Sequence, residues 1–252
     1  MFGRKKKSKW EKRIRAFREV QKLLVRPPKL SVVVPAVVDD AADENLLFCQ
    51  LGGAPILART LLSLDHIPAV DEIIVVIREA DLKSVADIVR DFAIKRVSKL
   101  ICVRESGLAT LEAGVYACDE AAYIAVHDPL RPFVSAQVME DALRTAVQCG
   151  VAVPTVPVKD TIKIVQDGVI QETPERSSLH TLQTPQIVES SLLKAALIRA
   201  RELGISVADV PAALEALSVP IRLAEGAEEN VRVGNVVEIQ AAEAILRGGL
   251  YI

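Results

Sequence analysis

From residue 30 onward, short apolar runs alternate with amphipathic stretches, and this alternation constrains the fold more than any other feature of the sequence. The apolar runs are rich in Val and Ile and fall at 30–36, 72–77, 99–103, 122–126 and 151–156. Helical periodicity occupies the stretches between them, at 55–64, 82–92, 108–117 and 136–148. Strands and helices in this alternation form a parallel sheet through right-handed crossovers. The sequence therefore predicts an α/β fold, a doubly wound and mostly parallel sheet with helices on both faces.

Composition supports this fold and excludes some functions. Half of the 252 residues are hydrophobic and 4% are aromatic, as in a sheet that helices cover on both faces. The net charge of −2 and the few aromatic side chains do not suit nucleic-acid binding, so no nucleic-acid partner is expected. The cysteines form no Cys-x-x-Cys pair and the histidines share no metal-ligand spacing, so no zinc site is expected.

Residues 1–29 form a basic segment that differs from the rest of the chain. Residues recur in it at helical spacing before two prolines: Trp10, Ile14, Phe17, Val20 or Gln21, and Leu24, then Pro27-Pro28. A basic amphipathic helix can lie on an anionic membrane surface, which predicts peripheral membrane contact through residues 1–25. The alternative is a leader helix that packs on the domain or on a partner.

The domain boundary is expected after residue 29, with one α/β domain at 30–252. No apolar run approaches the roughly 20 residues of a membrane span, and the basic N-terminus has no apolar signal core. These features predict a cytoplasmic protein.

The strand–helix alternation breaks after Pro157. Residues 161–165 and 169–172 flank the turn Gln166-Asp167-Gly168 and predict a hairpin, and a polar stretch follows as far as Gln186. Helices are then predicted at 190–202, 207–217 and 236–247, with a short strand at 220–223. A hairpin and an extended loop inserted in an α/β domain usually serve substrate binding or oligomerisation. We therefore predict a β-arm at about 158–187.

The stretch 122–134 points most directly to a functional site. Its apolar run ends abruptly at His127-Asp128, and Arg131 follows three residues after Asp128. Ligands of α/β proteins bind beyond the carboxyl ends of the strands, so a carboxylate and a guanidinium there indicate a metal or phosphate site. Alternatively, Asp128 caps the helix that starts near Ser135 and pairs with Arg131. These residues by themselves leave both interpretations open.

Several short motifs follow one another along the chain in a fixed order. They are His127-Asp128 within 126–132, Asp160-Thr161 within 156–163, Glu175-Arg176 within 173–177, Gln183-Thr184-Pro185-Gln186, and Asn230-Val231-Arg232 within 225–232. With weaker matches at 51–57 and 71–76, the chain resembles the 2-C-methyl-D-erythritol 4-phosphate cytidylyltransferase family over roughly residues 30–250. That resemblance implies a nucleotide-binding α/β domain whose β-arm pairs two subunits into a homodimer. It also implies a reaction of CTP with a polyol phosphate, methylerythritol phosphate, that releases pyrophosphate and uses Mg²⁺.

The resemblance also implies roles for individual residues. Asp128, Arg131 and Arg232 would be catalytic, with Asp128 at the metal. Thr161, Arg176 and Thr184 would bind the acceptor phosphate, largely from the arm of the partner subunit, with Arg176 donating charge-assisted hydrogen bonds. Ala36 and Thr110 would contact the nucleotide. Each arm residue also has a structural interpretation: Thr161 as a strand residue, Arg176 as a surface charge and Thr184-Pro185 as a turn.

The chain departs from the family where the nucleotide would bind. The family has a glycine-rich loop after the first strand, whereas residues 37–44 contain no glycine and four acidic residues. Leu46 and Leu47 stand where the family carries Lys and Gln, and Gly107 stands where it carries Arg. An acidic loop repels a triphosphate, so these departures predict reduced or absent activity. The second hypothesis is therefore a catalytically inactive relative that keeps the fold and the dimer as a binding or regulatory protein.

Overall fold

A computed structural model describes residues 28–37, 46–104, 106–207 and 209–248. The predicted amphipathic helix and membrane contact of the N-terminal segment fall within 1–27, and the four acidic residues of the loop at 37–44 fall within 38–45. Both lie outside the described residues. Within the described ranges, none of the helices combines the length and the apolar character that crossing a bilayer requires.

Strands and helices alternate in the order that the apolar pattern predicts. The strands are β1 (Leu30–Pro35), β2 (Gln50–Leu51), β3 (Ala54–Pro55), β4 (Glu72–Arg78), β5 (Val97–Val103), β6 (Tyr123–Val126), β7 (Val151–Pro157), β8 (Ile164–Gln166), β9 (Val169–Glu172), β10 (His180–Leu182), β11 (Gln186–Glu189) and β12 (Arg222–Glu225). The helices are α1 (Ile56–His66), α2 (Leu82–Asp91), α3 (Leu108–Ala117), α4 (Ala136–Cys149), α5 (Ser190–Leu203), α6 (Val210–Glu215) and α7 (Val236–Arg247). Strand β12 begins two residues later than predicted, and α6 is shorter than predicted at both ends.

The central sheet has eight strands in the described part of the chain. From one edge to the other, the order is β12, β7, then β10 and β11, then β6, β1, β4 and β5. Strands β10 and β11 share one position, because each pairs with a different part of β7. Strand β1 pairs in parallel with β4 and β6, β4 with β5, and β7 with β12. Strands β10 and β11 run antiparallel to their neighbours. The predicted mostly parallel sheet is confirmed.

Helices cover both faces of this sheet, because successive residues of a strand point to opposite faces. In β1, Val32 and Val34 pack in the apolar layer of α1, α2 and α4, whereas Val33 packs in the layer of α3, α5 and α6. Helix α3 lies close to the sheet at Gly114, where a Cβ atom would overlap the side chain of Val33. The predicted double winding is confirmed.

The predicted β-arm is too long at its C-terminal end. Strands β8 and β9 form the expected exposed hairpin, with positive φ at Asp167 (50°) and Gly168 (76°) in the turn. Strand β10, however, pairs with β7, and β11 lies between β6 and β7 with Ile187 and Val188 fully buried. Residues 180–182 and 186–187 therefore belong to the central sheet. Strand β10 is exposed and joins the sheet through its pairing with β7, whereas β11 contributes the buried Ile187 to the core.

Candidate active site

The candidate site lies just beyond the carboxyl end of β6, as the sequence predicts. Separate loops meet there: the β6–α4 loop with Asp128 and Arg131, the β10–β11 loop with Thr184, and the β12–α7 loop with Arg232. The His127 N–H donates a hydrogen bond to the Val33 carbonyl at 2.9 Å, which continues the pairing of β6 with β1. The loop that carries Asp128 and Arg131 begins directly after this bond. The sheet thereby places one carboxylate among several donors.

Asp128 is held in place through both of its carboxylate oxygens. Oδ1 accepts a hydrogen bond from the Leu130 N–H at 2.9 Å, and Oδ2 accepts one from Arg232 Nε at 3.1 Å. Arg131 Nε lies 3.9 Å from the same Oδ2. Asp128 does not cap α4, because the Ser135 hydroxyl oxygen accepts the Val138 N–H there at 3.3 Å. The structural interpretation made two predictions for Asp128. The ion pair with Arg131 is confirmed, and the helix cap is wrong.

Arg131 is largely buried, and its side chain joins the loops of the site. Its Nη1 donates to the Asn230 carbonyl at 2.7 Å, and its Nη2 donates to the Leu182 carbonyl at 3.3 Å. Burial lowers the pKa of Arg131, and the neighbouring Asp128 carboxylate opposes that shift. Arg131 therefore supports the site both by charge and by fixing the backbone around it.

His127 and Thr184 extend this support through a chain of hydrogen bonds. The Asp128 N–H donates to Thr184 Oγ1 at 3.0 Å, so the Thr184 hydroxyl is oriented to donate to His127 Nδ1 at 3.1 Å. His127 Nε2 then donates to the Arg131 carbonyl at 3.0 Å. Burial lowers the pKa of His127 to about 4, so the imidazole is neutral near pH 7. This series of hydrogen bonds positions Asp128. The neutral imidazole of His127 is not available as a proton donor to a ligand.

Sequence reasoning missed the structural roles of His127, Gln183 and Asn230, although each lies within a quoted motif. Gln183 Nε2 donates to the Ala227 carbonyl at 2.8 Å, and Asn230 Nδ2 donates to the Thr184 carbonyl at 2.8 Å. Both side chains are buried. Together they tie the β10–β11 loop to the β12–α7 loop. Thr184 thereby reaches the backbone N–H of Asp128, and Arg232 reaches its carboxylate.

The stability of the protein should depend on pH through His127. The unfolded chain binds a proton at the ordinary pKa of 6.5, whereas the folded chain binds it near 4. The free energy of unfolding should therefore fall as pH decreases from about 6.5 to about 4, by up to about 3 kcal/mol, and His127 adds nothing further below that range. Urea denaturation across this range should show a smaller pH slope for His127→Gln than for the wild type. The exposed His66 provides the control, since His66→Gln should keep the wild-type slope.

The structure separates the three residues predicted to bind the acceptor. Thr184 lies beside Asp128 of its own chain, which corrects the expectation that it acts with the partner's arm. Thr161 and Arg176 are exposed, and Arg176 Nη1 donates to the Lys159 carbonyl at 3.2 Å. No hydrogen bond or ion pair among the described residues joins either of them to Asp128. Within one subunit, Thr161 and Arg176 therefore do not contact the Asp128 carboxylate.

The residues predicted to contact the nucleotide lie near the carboxyl end of β1 and at the start of α3. Ala36 is buried and its N–H donates to the Val76 carbonyl at 2.8 Å, so this amide is already paired. Thr110 is buried in the first turn of α3, shortly after Gly107 with φ 67°. Leu46 and Leu47 belong to the apolar core, so their side chains are not displayed to a ligand. Nucleotide contacts by Ala36 and Thr110 stay predictions.

The donor set does not fit a magnesium ion held by the protein alone. Mg²⁺ prefers oxygen ligands and usually takes one or two carboxylates together with substrate phosphates. The described residues contain no cluster of three or more His, Cys, Asp or Glu side chains suited to a metal. In the part of the chain that the structure describes, Asp128 supplies the carboxylate of this site, with Arg232 Nε 3.1 Å and Arg131 Nε 3.9 Å from its Oδ2.

The sheet order, the double winding and a site of arginines around one carboxylate at a strand end define an α/β protein of the nucleotidyltransferase type. The family model for 2-C-methyl-D-erythritol 4-phosphate cytidylyltransferase matches residues 31–248. The chain belongs to this family.

Individual relatives agree with this assignment. The protein of that name from Bacillus velezensis is 33% identical over 220 residues, which cover 86% of this chain and 95% of the relative. The one from Dehalococcoides mccartyi strain 195 is 29% identical over 207 residues, covering 82% and 90%. The crystal structure of the Thermus thermophilus cytidylyltransferase matches with a TM-score of 0.70 at 26% identity, covering 87% of this chain and 99% of that one. The Anaerococcus prevotii synthase shares the fold, with a TM-score of 0.78 at 22% identity over 89% of this chain and 99% of that one.

Proposed function

We propose that this protein transfers the cytidylyl group of CTP to 2-C-methyl-D-erythritol 4-phosphate and releases pyrophosphate. The observation that carries the proposal is the meeting of Asp128, Arg131, Thr184 and Arg232 beyond β6. These residues come from distant parts of the sequence and stand at the positions to which the family motifs assign catalysis and acceptor binding. Relatives at about 30% identity bear the name of this activity.

The chemistry needs positive charge more than proton transfer. A phosphate oxygen of the acceptor forms a bond to the α-phosphorus of CTP, and the bond from that phosphorus to the bridging oxygen breaks. Pyrophosphate leaves with the electron pair, so negative charge grows on the phosphoryl oxygens during the step. Arg131 and Arg232 supply fixed positive charge beside that position, which stabilises such a transition state. Asp128 keeps both guanidinium groups oriented.

We further propose that the protein acts as a homodimer in which the arm reaches the site of the partner subunit. The hairpin exposes a group of apolar side chains with fractional exposures of 42–60%: Ile162, Ile164, Val165, Val169 and Ile170. An isolated two-stranded hairpin is marginally stable, and a contiguous exposed apolar patch usually marks an interface. A second subunit that covers this patch would also carry Thr161 and Arg176 toward a site. Sedimentation equilibrium of the full chain is expected to show a dimer, and a monomer at all concentrations would contradict this part of the proposal.

Turnover by the purified full chain tests the activity. With CTP and methylerythritol phosphate, pyrophosphate release should accompany a new diphosphate signal in ³¹P NMR. Asp128→Asn should lower the rate about 100-fold or more, because the arginines lose the anion that orients them. The control Asp141→Asn removes a carboxylate that pairs with Arg144 on the surface of α4, and should leave the rate unchanged.

The same assay decides between this proposal and an inactive relative. Absence of product with CTP, ATP, GTP and UTP, from a protein that still binds the acceptor phosphate, would establish the non-catalytic alternative. That outcome would follow from the acidic composition of residues 37–44 and from Leu46 at the position of the family's lysine.

A further inference from the structure

A cavity of about 580 Å³ lies between α1, the β6–α4 loop and the end of α7. Residues 132–136 form one wall, and Leu246 of α7 also lines the space. The opposite wall is a single face of α1, because its residues are spaced three or four positions apart: Arg59, Leu62, Ser63 and His66. The volume lies within the range of about 300–1,000 Å³ that is typical of small-molecule sites.

Hydrogen bonds fix the two walls relative to each other. Ser63 Oγ donates to the Pro132 carbonyl at 2.7 Å, and Thr60 Oγ1 donates to the Pro129 carbonyl at 2.7 Å. The cavity is therefore already formed in the folded chain, as ligand pockets usually are.

The cavity is separate from the candidate active site, although the two share a loop. The β6–α4 loop carries Asp128 and Arg131, and its residues from 132 onward line the cavity. The cluster around Asp128 contributes none of the described residues that line the space. A ligand in the cavity would contact this loop without contacting the Asp128 carboxylate.

The lining is mostly apolar. Phe133, Val134 and Ile67 are almost fully buried at its base, with exposed fractions of 1%, 3% and 2%. Leu62 and Leu246 add further apolar surface. Such a surface favours an apolar ligand body, because the contact removes apolar area from water.

Arg59 is a permanently charged residue in this lining, and no described residue gives it a carboxylate partner. Its Nε donates to the Leu51 carbonyl and its Nη2 to the Gly52 carbonyl, which leaves Nη1 without a hydrogen bond among the described residues. Glu243 lines an adjoining cavity together with Arg59 and Arg247, but within the described ranges it forms no ion pair with Arg59. Partial burial lowers the pKa of Arg59, and an anion beside the guanidinium would offset this cost of desolvation.

We infer that this cavity binds a small amphiphile with one carboxylate group, which pairs with Arg59 while the apolar body lies between α1 and residues 132–136. Guanidinium and carboxylate groups form paired, charge-assisted hydrogen bonds. One guanidinium balances one negative charge, which favours a carboxylate over a phosphate dianion. His66 is exposed and its Nδ1 is bonded to the Leu62 carbonyl at 2.8 Å, so Arg59 supplies the fixed charge.

Octanoate is a suitable probe, because it joins an apolar chain to one carboxylate. Calorimetry with the full chain should show saturable binding at one site. Octanol lacks the charge and acetate lacks the chain, so each should bind at least about tenfold more weakly. Arg59→Gln should weaken octanoate binding about tenfold or more, because the carboxylate loses its cation.

A second variant blocks the cavity and leaves Arg59 in place. Ala136 is exposed and lines the cavity, so Ala136→Trp should fill part of the space and also weaken octanoate binding about tenfold. Arg199→Gln is the matched control, because Arg199 lies on α5, which packs on the other face of the sheet. Arg232→Gln separates the two sites and should keep the wild-type octanoate affinity. Circular dichroism of each variant checks the fold.

Several results would overturn the inference. They are the absence of octanoate binding, octanol binding as tight as that of octanoate, and wild-type affinity in both Arg59→Gln and Ala136→Trp. Loss of binding in Arg232→Gln would assign the octanoate to the candidate active site instead. None of these measurements uses turnover, so failure of the proposed function would leave the inference standing.

Discussion

Replacing Arg176 with alanine should lower cytidylyl transfer about 100-fold or more while leaving the fold and the dimer intact. Arg176 is exposed and donates to the Lys159 carbonyl of its own arm, so it contributes little to the stability of its own chain. In the proposed dimer it would contact the acceptor phosphate at the partner's site, where loss of one charged donor typically costs two to three orders of magnitude. Steady-state rates and sedimentation of the same preparation provide the measurement.

Mixing two inactive variants tests whether the site is shared between subunits. Asp128→Asn and Arg176→Ala would each lack one half of the site. In a mixed dimer, one site combines both defects and the other combines the intact Asp128 of one subunit with the intact Arg176 of its partner. With equal amounts and random exchange, half of the dimers are mixed and half of their sites are intact. Activity should therefore recover to about a quarter of the wild-type value.

The controls for this experiment use the same chain. Arg199→Ala removes an exposed arginine on α5 and should retain full activity. No recovery after verified subunit exchange would show that Arg176 acts within its own chain. Full activity of Arg176→Ala by itself would remove Arg176 from the acceptor site.

Replacing Arg131 with alanine should lower the free energy of unfolding by about 3 kcal/mol or more. The substitution leaves the Asn230 and Leu182 carbonyls without their donor and leaves Asp128 with one arginine fewer. Since Arg131 links the β6–α4 loop to the two loops that carry Thr184 and Arg232, activity and phosphate binding should fall together with stability. Urea denaturation monitored by circular dichroism measures the change.

An exposed arginine of similar pairing gives the comparison. Arg144 on α4 forms an ion pair with Asp141 at 2.8 Å, and its side chain is 60% exposed. Arg144→Ala should cost less than about 1 kcal/mol, because exposed ion pairs contribute little. If the two variants lose the same free energy of unfolding, the burial of Arg131 does not strengthen its contacts.

Much of the fold could be predicted from the sequence because its signals are local. The apolar runs gave the parallel strands, and Asp167-Gly168 gave the hairpin, since a turn of this kind needs residues that tolerate positive φ. The abrupt end of an apolar run at His127-Asp128 also pointed to the candidate site, because parallel strands present their carboxyl ends at one edge of the sheet.

The end of the arm could not be predicted in the same way. Residues 180–187 read as a polar connection, yet β10 and β11 pair antiparallel with β7 and β6. Which strand a short segment joins depends on the gap between strands that are distant in sequence. For the same reason the roles of Gln183 and Asn230 became evident only when their partners, in loops more than 40 residues away, were known.

The sequence by itself determined the order of strands and helices, the hairpin, and the residue types that could serve a phosphate site. Local periodicity and turn chemistry suffice for these features, because they depend on neighbours within a few residues. The tertiary structure alone decided that Arg232 pairs with Asp128 across 104 positions, that Thr184 lies beside Asp128 of its own chain, and that His127 is neutral and buried. Those features arise where loops from distant parts of the sequence meet at one end of the sheet. Burial and charge at that meeting point depend on contacts that no local pattern records.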